Sequence, residues 1–222
     1  LAFVMESSMA TVQGRNEASA GAPGYLRQQM LFPYGYGASF LQQVWKNRPG
    51  WETVNALYLD PPASTEQILH PEKYFGDRDD PKAVPPIDPA ARLGQSWRIA
   101  HRGVLGEFSL GLFLGLHLTE EYSRKAVSGW GGDEVVYLED DSGRDAVVVA
   151  TVWDTEEDAD TFRAAVEAWF RKRFPKGTLE QDASGGFSVA DAGKLYAVSR
   201  EGQSLVCVLG LPAADGRRWQ GR

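Results

Sequence analysis

The sequence predicts an α+β fold, in which a helical N-terminal part is followed by a small, mostly antiparallel sheet packed with helices. Before about residue 76, apolar residues recur at spacings of three and four, which is the period of a helix. After about residue 95, apolar and polar residues alternate in several short runs, which is the period of a strand. Residues 76–95 between them are charged and rich in proline. We therefore expect three regions: a helical part (residues 1–75), a connection (76–95) and an α+β part (96–222).

Composition limits the classes of function. The 222 residues are 43% hydrophobic, and 30 acidic against 23 basic side chains give a net charge of −7. An acidic chain argues against nucleic acid as a partner, because surfaces that follow phosphates carry an excess of basic residues. One cysteine and three histidines exclude a disulfide scaffold and a cysteine-zinc module. The most apolar run, residues 104–118, contains Glu107 and His117 and is too short to span a bilayer, so we expect no transmembrane segment.

The helical part contains four predicted segments. An apolar stretch over residues 1–12 is followed by a small-residue loop that reaches residue 24. Residues 25–47 form a long predicted helix that Pro33 should kink or split. A shorter helix over residues 51–59 ends at two prolines, and Ser64 or Thr65 can then cap a further helix.

The start of the chain has no basic region of the kind that opens a signal peptide, and we interpret Leu1 as a cut end. Leu1, Phe3, Val4 and Met5 are too apolar for solvent. We expect them to pack against another chain, an N-terminal domain or the helix that begins near Tyr25.

The α+β part opens with a predicted strand at residues 97–103 and a buried apolar helix at 104–122. The turn at residues 140–143 predicts a hairpin of strands 134–139 and 146–153. Thr155 is the expected N-cap of the next helix, with Asp158 three residues on. Three more strands are predicted, at residues 187–190, 194–199 and 204–209. We expect helices on one face of this sheet.

Several polar features have ordinary explanations. Eleven acidic residues between Asp133 and Asp160 make a calcium site conceivable, but their spacing favours a solvated surface. The glycines of residues 129–133 follow a helix and precede a strand, so they indicate a helix end and turn and not a phosphate loop. His101, in a strand, and His117, on the apolar helix, are isolated. Cys207 alternates with apolar neighbours and should be buried and inert.

One segment is a candidate site. In PPASTEQILHPEKYF, residues 61–75, Glu66 and His70 are four apart and would share a helical face, as a base and its orienting group or as two metal ligands. Pro71 disfavours helical backbone at His70 and would hold the imidazole at a helix end that faces a cleft. The alternative is a capped short helix in which Glu66, His70, Glu72 and Lys73 bond to the backbone of their own domain.

This segment and the preceding LFPYGYGASFLQQVWKNRPGWETVNALYLD resemble a family of exported bacterial and archaeal proteins related to gluzincin-like zinc metallopeptidases. The similarity covers roughly residues 1–153, and residues 65–74 are its most specific part. In that family a His-Glu-x-x-His helix and a later Glu-Gly pair, which supply the zinc ligands, lie upstream of these motifs. Neither is present here, so the chain is similar to the C-terminal portion of such a protein, beginning after the third ligand.

The resemblance implies that the chain holds no cofactor itself, that zinc would lie in an upstream part, and that the protein is exported or associated with the cell envelope. By analogy with gluzincins, His70 would stabilise a tetrahedral oxyanion, with Glu66 beside it. The expected partner is the missing N-terminal part or another protein chain. Our leading hypothesis is a cleft wall that is not catalytic by itself, and the alternative is a non-enzymatic binding or structural subunit built on a peptidase-derived scaffold.

Overall fold

The computed structural model describes residue 14 and residues 21–219. The expectations for residues 1–12, including the packing of Leu1, Phe3, Val4 and Met5, lie outside the described residues. The chain divides into two compact units. The first comprises Leu1–Pro81 and Glu107–Leu116, and the second comprises Lys82–Gly106 and His117–Arg222. The division at Pro81 falls within the predicted connection, but a segment from the predicted α+β part groups with the first unit.

The α+β class is confirmed. The described residues form helices α1 (Gly24–Asn47), α2 (Trp51–Ala56), α3 (Thr65–Leu69), α4 (Glu72–Phe75), α5 (Pro89–Leu93), α6 (Gly106–Gly115), α7 (Glu120–Val127), α8 (Glu156–Arg173) and α9 (Ala213–Trp219). The strands are β1 (Trp97–Gly103), β2 (Trp130–Asp140), β3 (Asp145–Trp153), β4 (Glu180–Gln181), β5 (Phe187–Asp191), β6 (Lys194–Glu201) and β7 (Ser204–Pro212). In the described part of the chain, no strand precedes Trp97 and no helix is long and apolar enough to cross a membrane.

The first unit is helical, and α1 passes through Pro33 without a break. Of the two expected effects of Pro33, a kink or a split, the split does not occur. A proline removes one backbone hydrogen bond, but tertiary packing can offset that loss. Here Phe32 and Tyr36 stack with ring centroids 5.2 Å apart, and both rings pack against Phe108 of α6.

The apolar run predicted as one helix over residues 104–122 forms two. Helix α6 ends at Gly115, and Thr119 caps α7 by accepting a hydrogen bond from the Tyr122 amide. A glycine at the end of α6 and a capping threonine four residues later favour this break over continuation. His117 therefore lies in an exposed turn, and its expected place on a buried helix is wrong.

The second unit is built on an antiparallel sheet with the order β1-β2-β3-β7-β6-β5-β4. Helices lie on both faces of the sheet, not on one as expected. On one face, Trp153 of β3 stacks against Phe162 of α8, with ring centroids 4.4 Å apart. On the other face, Val148 of β3 belongs to a buried cluster with Leu93 of α5 and Trp219 of α9. Alternation of side chains along β3 explains why one strand serves both cores.

Helix α8 begins as the sequence predicts. Thr155 and Asp158 form a reciprocal capping box, and the stripe that includes Phe162, Trp169 and Phe170 is buried. Cys207 is buried in β7, and burial raises the pKa of its thiol to about 12. The expectation of a buried cysteine is confirmed.

Two expectations about polar segments need correction. Of the glycines expected in a turn, Gly129 does lie in the turn after α7, but Gly131 and Gly132 lie in β2, where the Lys82 N–H donates to the Gly131 carbonyl at 2.7 Å. Two acids of the stretch predicted to be solvated, Asp133 and Asp140, are buried. Asp133 accepts from the amides of Leu105 and Gly106, both at 2.7 Å, and so caps the start of α6.

Candidate functional site

Helix α3 starts at a serine N-cap, and a buried glutamine within it makes hydrogen bonds to residues before and after the helix. The Ser64 hydroxyl accepts from the Gln67 amide at 3.1 Å. The Gln67 side chain is completely buried, accepts from the Ala63 amide at 2.7 Å and donates to the Asp79 carbonyl at 2.8 Å. It also donates to the Asp80 carboxylate at 3.1 Å. Gln67 therefore links Ala63, before α3, to Asp79 and Asp80, after α4. These hydrogen bonds stabilise the position of the helix that ends at His70.

A second set of contacts surrounds Lys73 of α4. Its ammonium lies 2.6 Å from Oε1 of Glu66 and 2.9 Å from Oδ2 of Asp79. The Glu66 side chain is only 3% exposed, so Lys73 supplies the positive charge that a buried carboxylate requires. Glu66 and Lys73 of the motif are thus a structural pair between α3 and α4.

His70 occupies the junction between these helices. It ends α3 in a non-helical conformation (φ −123°, ψ 77°), as expected for a residue that precedes a proline. Pro71 then caps α4. The local sequence therefore turns the chain sharply at His70 and leaves its side chain 32% exposed.

The imidazole of His70 is held by a glutamate from α6. Nε2 of His70 lies 3.0 Å from Oε1 of Glu107, whose side chain is only 5% exposed. Nδ1 lies 3.8 Å from Oε1 of the exposed Glu72, which is too far for a hydrogen bond. Of the two ring nitrogens, only Nε2 has a hydrogen bond to a described residue.

The charges around His70 favour the imidazolium. The hydrogen bond to Glu107 raises the pKa of His70 above its usual range, against the lowering effect of burial. The negative charges of Glu107, Glu72 and Glu66 raise it further. Among the described residues, the second oxygen of Glu107, Oε2, is buried without a hydrogen-bond partner. His70 is thus the group that compensates this buried carboxylate.

The structure separates the roles that the sequence gave to Glu66 and His70. Glu66 binds Lys73, and the carboxylate on the imidazole is Glu107. Glu66 and His70 are therefore held by different partners, through Oε1 of Glu66 and Nε2 of His70. The sequence analysis missed Glu107 as a partner because 37 residues separate it from His70. A single acidic residue in the most apolar run of the chain was the available signal.

Neighbouring contacts brace the site. Thr65 accepts through its hydroxyl from the Phe108 amide at 3.3 Å, one residue after Glu107. The Tyr74 hydroxyl donates to the Asp60 carbonyl, and Arg78 binds the carboxylate of Asp60 at 2.6 Å. These bonds join α3 to α6 and link the loop before α3 to the residues that follow α4.

The other histidines are apart from this arrangement. His101 lies in β1, as predicted, and is exposed. His117 packs its ring edge against Trp169, with centroids 5.0 Å apart. Within the described part of the chain, neither has a hydrogen bond to a carboxylate like that of His70.

Comparison with known proteins finds one family. A family model described as "Domain of unknown function (DUF8575)" matches residues 95–219, which is more than half of the chain. The match includes Glu107 but not residues 61–75, where His70 lies. No curated protein matches the chain, and no solved structure matches it.

Proposed function

The chain belongs to the DUF8575 family of domains of unknown function, and from its site we propose that it is the C-terminal part of a metallopeptidase-like protein, forming a cleft wall that is not catalytic by itself. One observation carries this proposal. His70 is partly exposed, its Nε2 is hydrogen-bonded to a buried carboxylate, and its Nδ1 makes no hydrogen bond to any described residue. A histidine with both nitrogens bonded in a sealed core would be structural.

The geometry suits donation of a hydrogen bond to a developing negative charge. When His70 is protonated, Nε2–H is occupied by Glu107 and Nδ1–H remains for an external acceptor. In peptide hydrolysis that acceptor is the oxygen of the tetrahedral intermediate. The zinc ion implied by the resemblance would activate the attacking water, and its ligands would come from the upstream part of the protein.

The rest of the motif supports His70. Ser64 and Gln67 fix α3, Lys73 neutralises Glu66, and Pro71 turns the chain at the imidazole. A donor held this way loses little freedom when it meets the transition state, which is a requirement for electrostatic catalysis. The resemblance also makes an exported or envelope-associated location part of this proposal.

The test uses the complete protein, with the sequence upstream of Leu1 restored and the peptidase activity measured. We expect His70→Ala to lower kcat by roughly two to three orders of magnitude, because one oxyanion donor contributes about 2.7–4 kcal/mol. His101→Ala removes an exposed histidine of β1 and should leave kcat unchanged. If His70→Ala instead lowers only the free energy of unfolding, by about 1–3 kcal/mol, the motif is structural and the proposal fails.

A binding or structural subunit is the second candidate, and exposed apolar side chains favour it. Trp51, Tyr58 and Leu59, at and after α2, are 54%, 86% and 90% exposed. Large apolar groups in solvent are typical of surfaces that meet a partner. The upstream sequence decides between the candidates: an intact His-Glu-x-x-His favours the peptidase, and a degraded one favours the binding subunit.

A further inference from the structure

We infer that Glu107 is the positioning residue of His70: its buried carboxylate holds the proton on Nε2 and thereby makes Nδ1–H the group that donates a hydrogen bond to a ligand. This inference rests on the proposed function and deepens it, because it assigns the donor atom. It follows from two distances. Nε2 lies within hydrogen-bond range of Glu107, at 3.0 Å, and Nδ1 lies outside that range from Glu72, at 3.8 Å.

Glu107 can impose this choice because it is buried and otherwise unsatisfied. Among the described residues, its Oε2 has no hydrogen-bond partner and its Oε1 has His70. A buried carboxylate without a donor is costly, so a neutral His70 must keep its one N–H on Nε2. The other tautomer would point two lone pairs at each other across 3.0 Å.

The proton balance of the site is then simple. The imidazolium donates its Nδ1–H to the ligand oxygen in a hydrogen bond. When it loses that proton to solvent, it becomes the neutral Nε2–H tautomer. The Nε2 proton stays on the bond to Glu107 throughout. The ligand that suits Nδ1–H is an oxygen that carries or develops negative charge, such as a carboxylate or a tetrahedral oxyanion.

Charged groups from three helices face the imidazole. Glu107 is on α6, Glu72 on α4 and Glu66 on α3, and all three carboxylates raise the pKa of His70. Lys73 binds Glu66 and offsets part of that carboxylate's charge. Glu107 is the largest influence because it also provides the hydrogen bond. Exposed Glu72 lies near Nδ1 and must move aside when an anionic oxygen binds there.

Nitrogen-15 NMR of the chain as it stands tests this inference without any activity. Two-bond couplings in histidine-labelled protein identify the tautomer, and His101→Gln and His117→Gln assign the signals. We expect His70 to be the Nε2–H tautomer when neutral and to titrate above the usual value of about 6.5. A neutral Nδ1–H tautomer would overturn the inference.

Three variants separate charge from hydrogen bonding. In Glu107→Gln the amide oxygen still accepts from Nε2–H, so the tautomer should persist while the pKa of His70 falls. In Glu107→Ala the acceptor is lost, and both tautomers should be populated. Glu72→Gln is the matched control at the exposed carboxylate, and it should preserve the tautomer with a smaller fall in pKa. Equal falls in pKa for Glu107→Gln and Glu72→Gln would contradict the positioning role.

The Glu107→Gln result stands if Glu107→Ala does not fold, and the His101 and His117 signals report whether each variant is folded. Failure here is distinct from failure of the proposed function. A wrong tautomer removes Glu107 as the positioning residue while leaving the activity test of His70→Ala open. Unchanged kcat in His70→Ala removes the peptidase role even if the tautomer is as inferred.

Discussion

A completely buried glutamine must satisfy both ends of its amide, and Gln67 does so within its own motif. Its oxygen accepts from the Ala63 amide and its nitrogen donates to Asp79 and Asp80. A shorter or apolar side chain would leave the backbone groups of Ala63 and Asp79 without these partners. Their desolvation then becomes a direct cost to the fold.

We therefore predict that Gln67→Ala lowers the free energy of unfolding by about 1–3 kcal/mol, the cost of one unsatisfied buried group. The loss is larger if no water reaches either the Ala63 amide or the Asp79 carbonyl. Urea denaturation followed by circular dichroism measures this difference. Gln28→Ala is the matched control, because Gln28 is exposed on α1. Equal free energies of unfolding for the Gln67 and Gln28 variants would show that the hydrogen bonds of Gln67 do not stabilise residues 63–80.

At single residues, the sequence was informative where partners are close along the chain. The Ser64 cap and the Thr155–Asp158 capping box depend on residues three apart, so local pattern predicts them. The pairing of His70 with Glu107 depends on tertiary packing of α6, and no local rule reaches that far. Glu66 was given the role of Glu107 because it is the nearest acid at helical spacing.

Among the elements, the start of β2 shows why two glycines occur in a strand. A Cβ added at Gly132 would lie 2.5 Å from the backbone oxygen of Lys82. At Gly131 the nearest atom would be Cδ of the flexible Lys82 side chain, at 2.9 Å. The close approach of the Lys82 backbone therefore requires glycine most strongly at position 132, because a side chain there would force a backbone atom to move.

We predict that Gly132→Ala destabilises the second unit by about 1–3 kcal/mol, the usual cost of an overpacked site. Thermal unfolding of the purified chain provides the measurement. Gly103→Ala in β1 is the control, because a Cβ there would meet its nearest neighbour at an ordinary 3.6 Å. A Gly132 variant as stable as the Gly103 variant would mean that the segment at Lys82 shifts freely.

The type of element was predictable wherever helical spacing of apolar residues persisted over several turns, or wherever apolar and polar residues alternated clearly. The strand at residues 97–103 and the helix that follows Thr155 have the predicted bounds or nearly so. The run after Val104 was misjudged because uniformly apolar residues have no periodicity that would reveal a break. The glycines of β2 were misjudged because the crossing segment at Lys82 is remote in sequence.

For the whole molecule, the important fact is that the two units are not two consecutive stretches of chain. Residues 107–116 group with the first unit although the residues on both sides belong to the second. In the first unit, Phe108 packs its ring against Phe32 at a centroid distance of 4.2 Å and against Tyr36. A cut at Pro81 therefore separates α6 from its aromatic partners.

We predict that a fragment of residues 82–222 exposes apolar surface that the whole chain covers. It should bind the dye ANS more strongly than the whole chain and elute partly as aggregates in size-exclusion chromatography. Phe108→Ser in the same fragment should reduce both effects, because it removes a ring that has lost its partners. A fragment that is monodisperse and binds no more dye than the whole chain would contradict this view of α6.

The interrupted path of the chain also has a consequence for synthesis on the ribosome. A domain made of consecutive residues can fold as soon as its last residue leaves the exit tunnel. The first unit cannot, because its last helical segment, residues 107–116, is translated after residues 82–106, which belong to the other unit. The aromatic side chains of α1 and the imidazole of His70 therefore lack their partners, Phe108 and Glu107, until a later part of the chain has been synthesised. The site is completed only after Glu107 has been synthesised, 37 residues after His70.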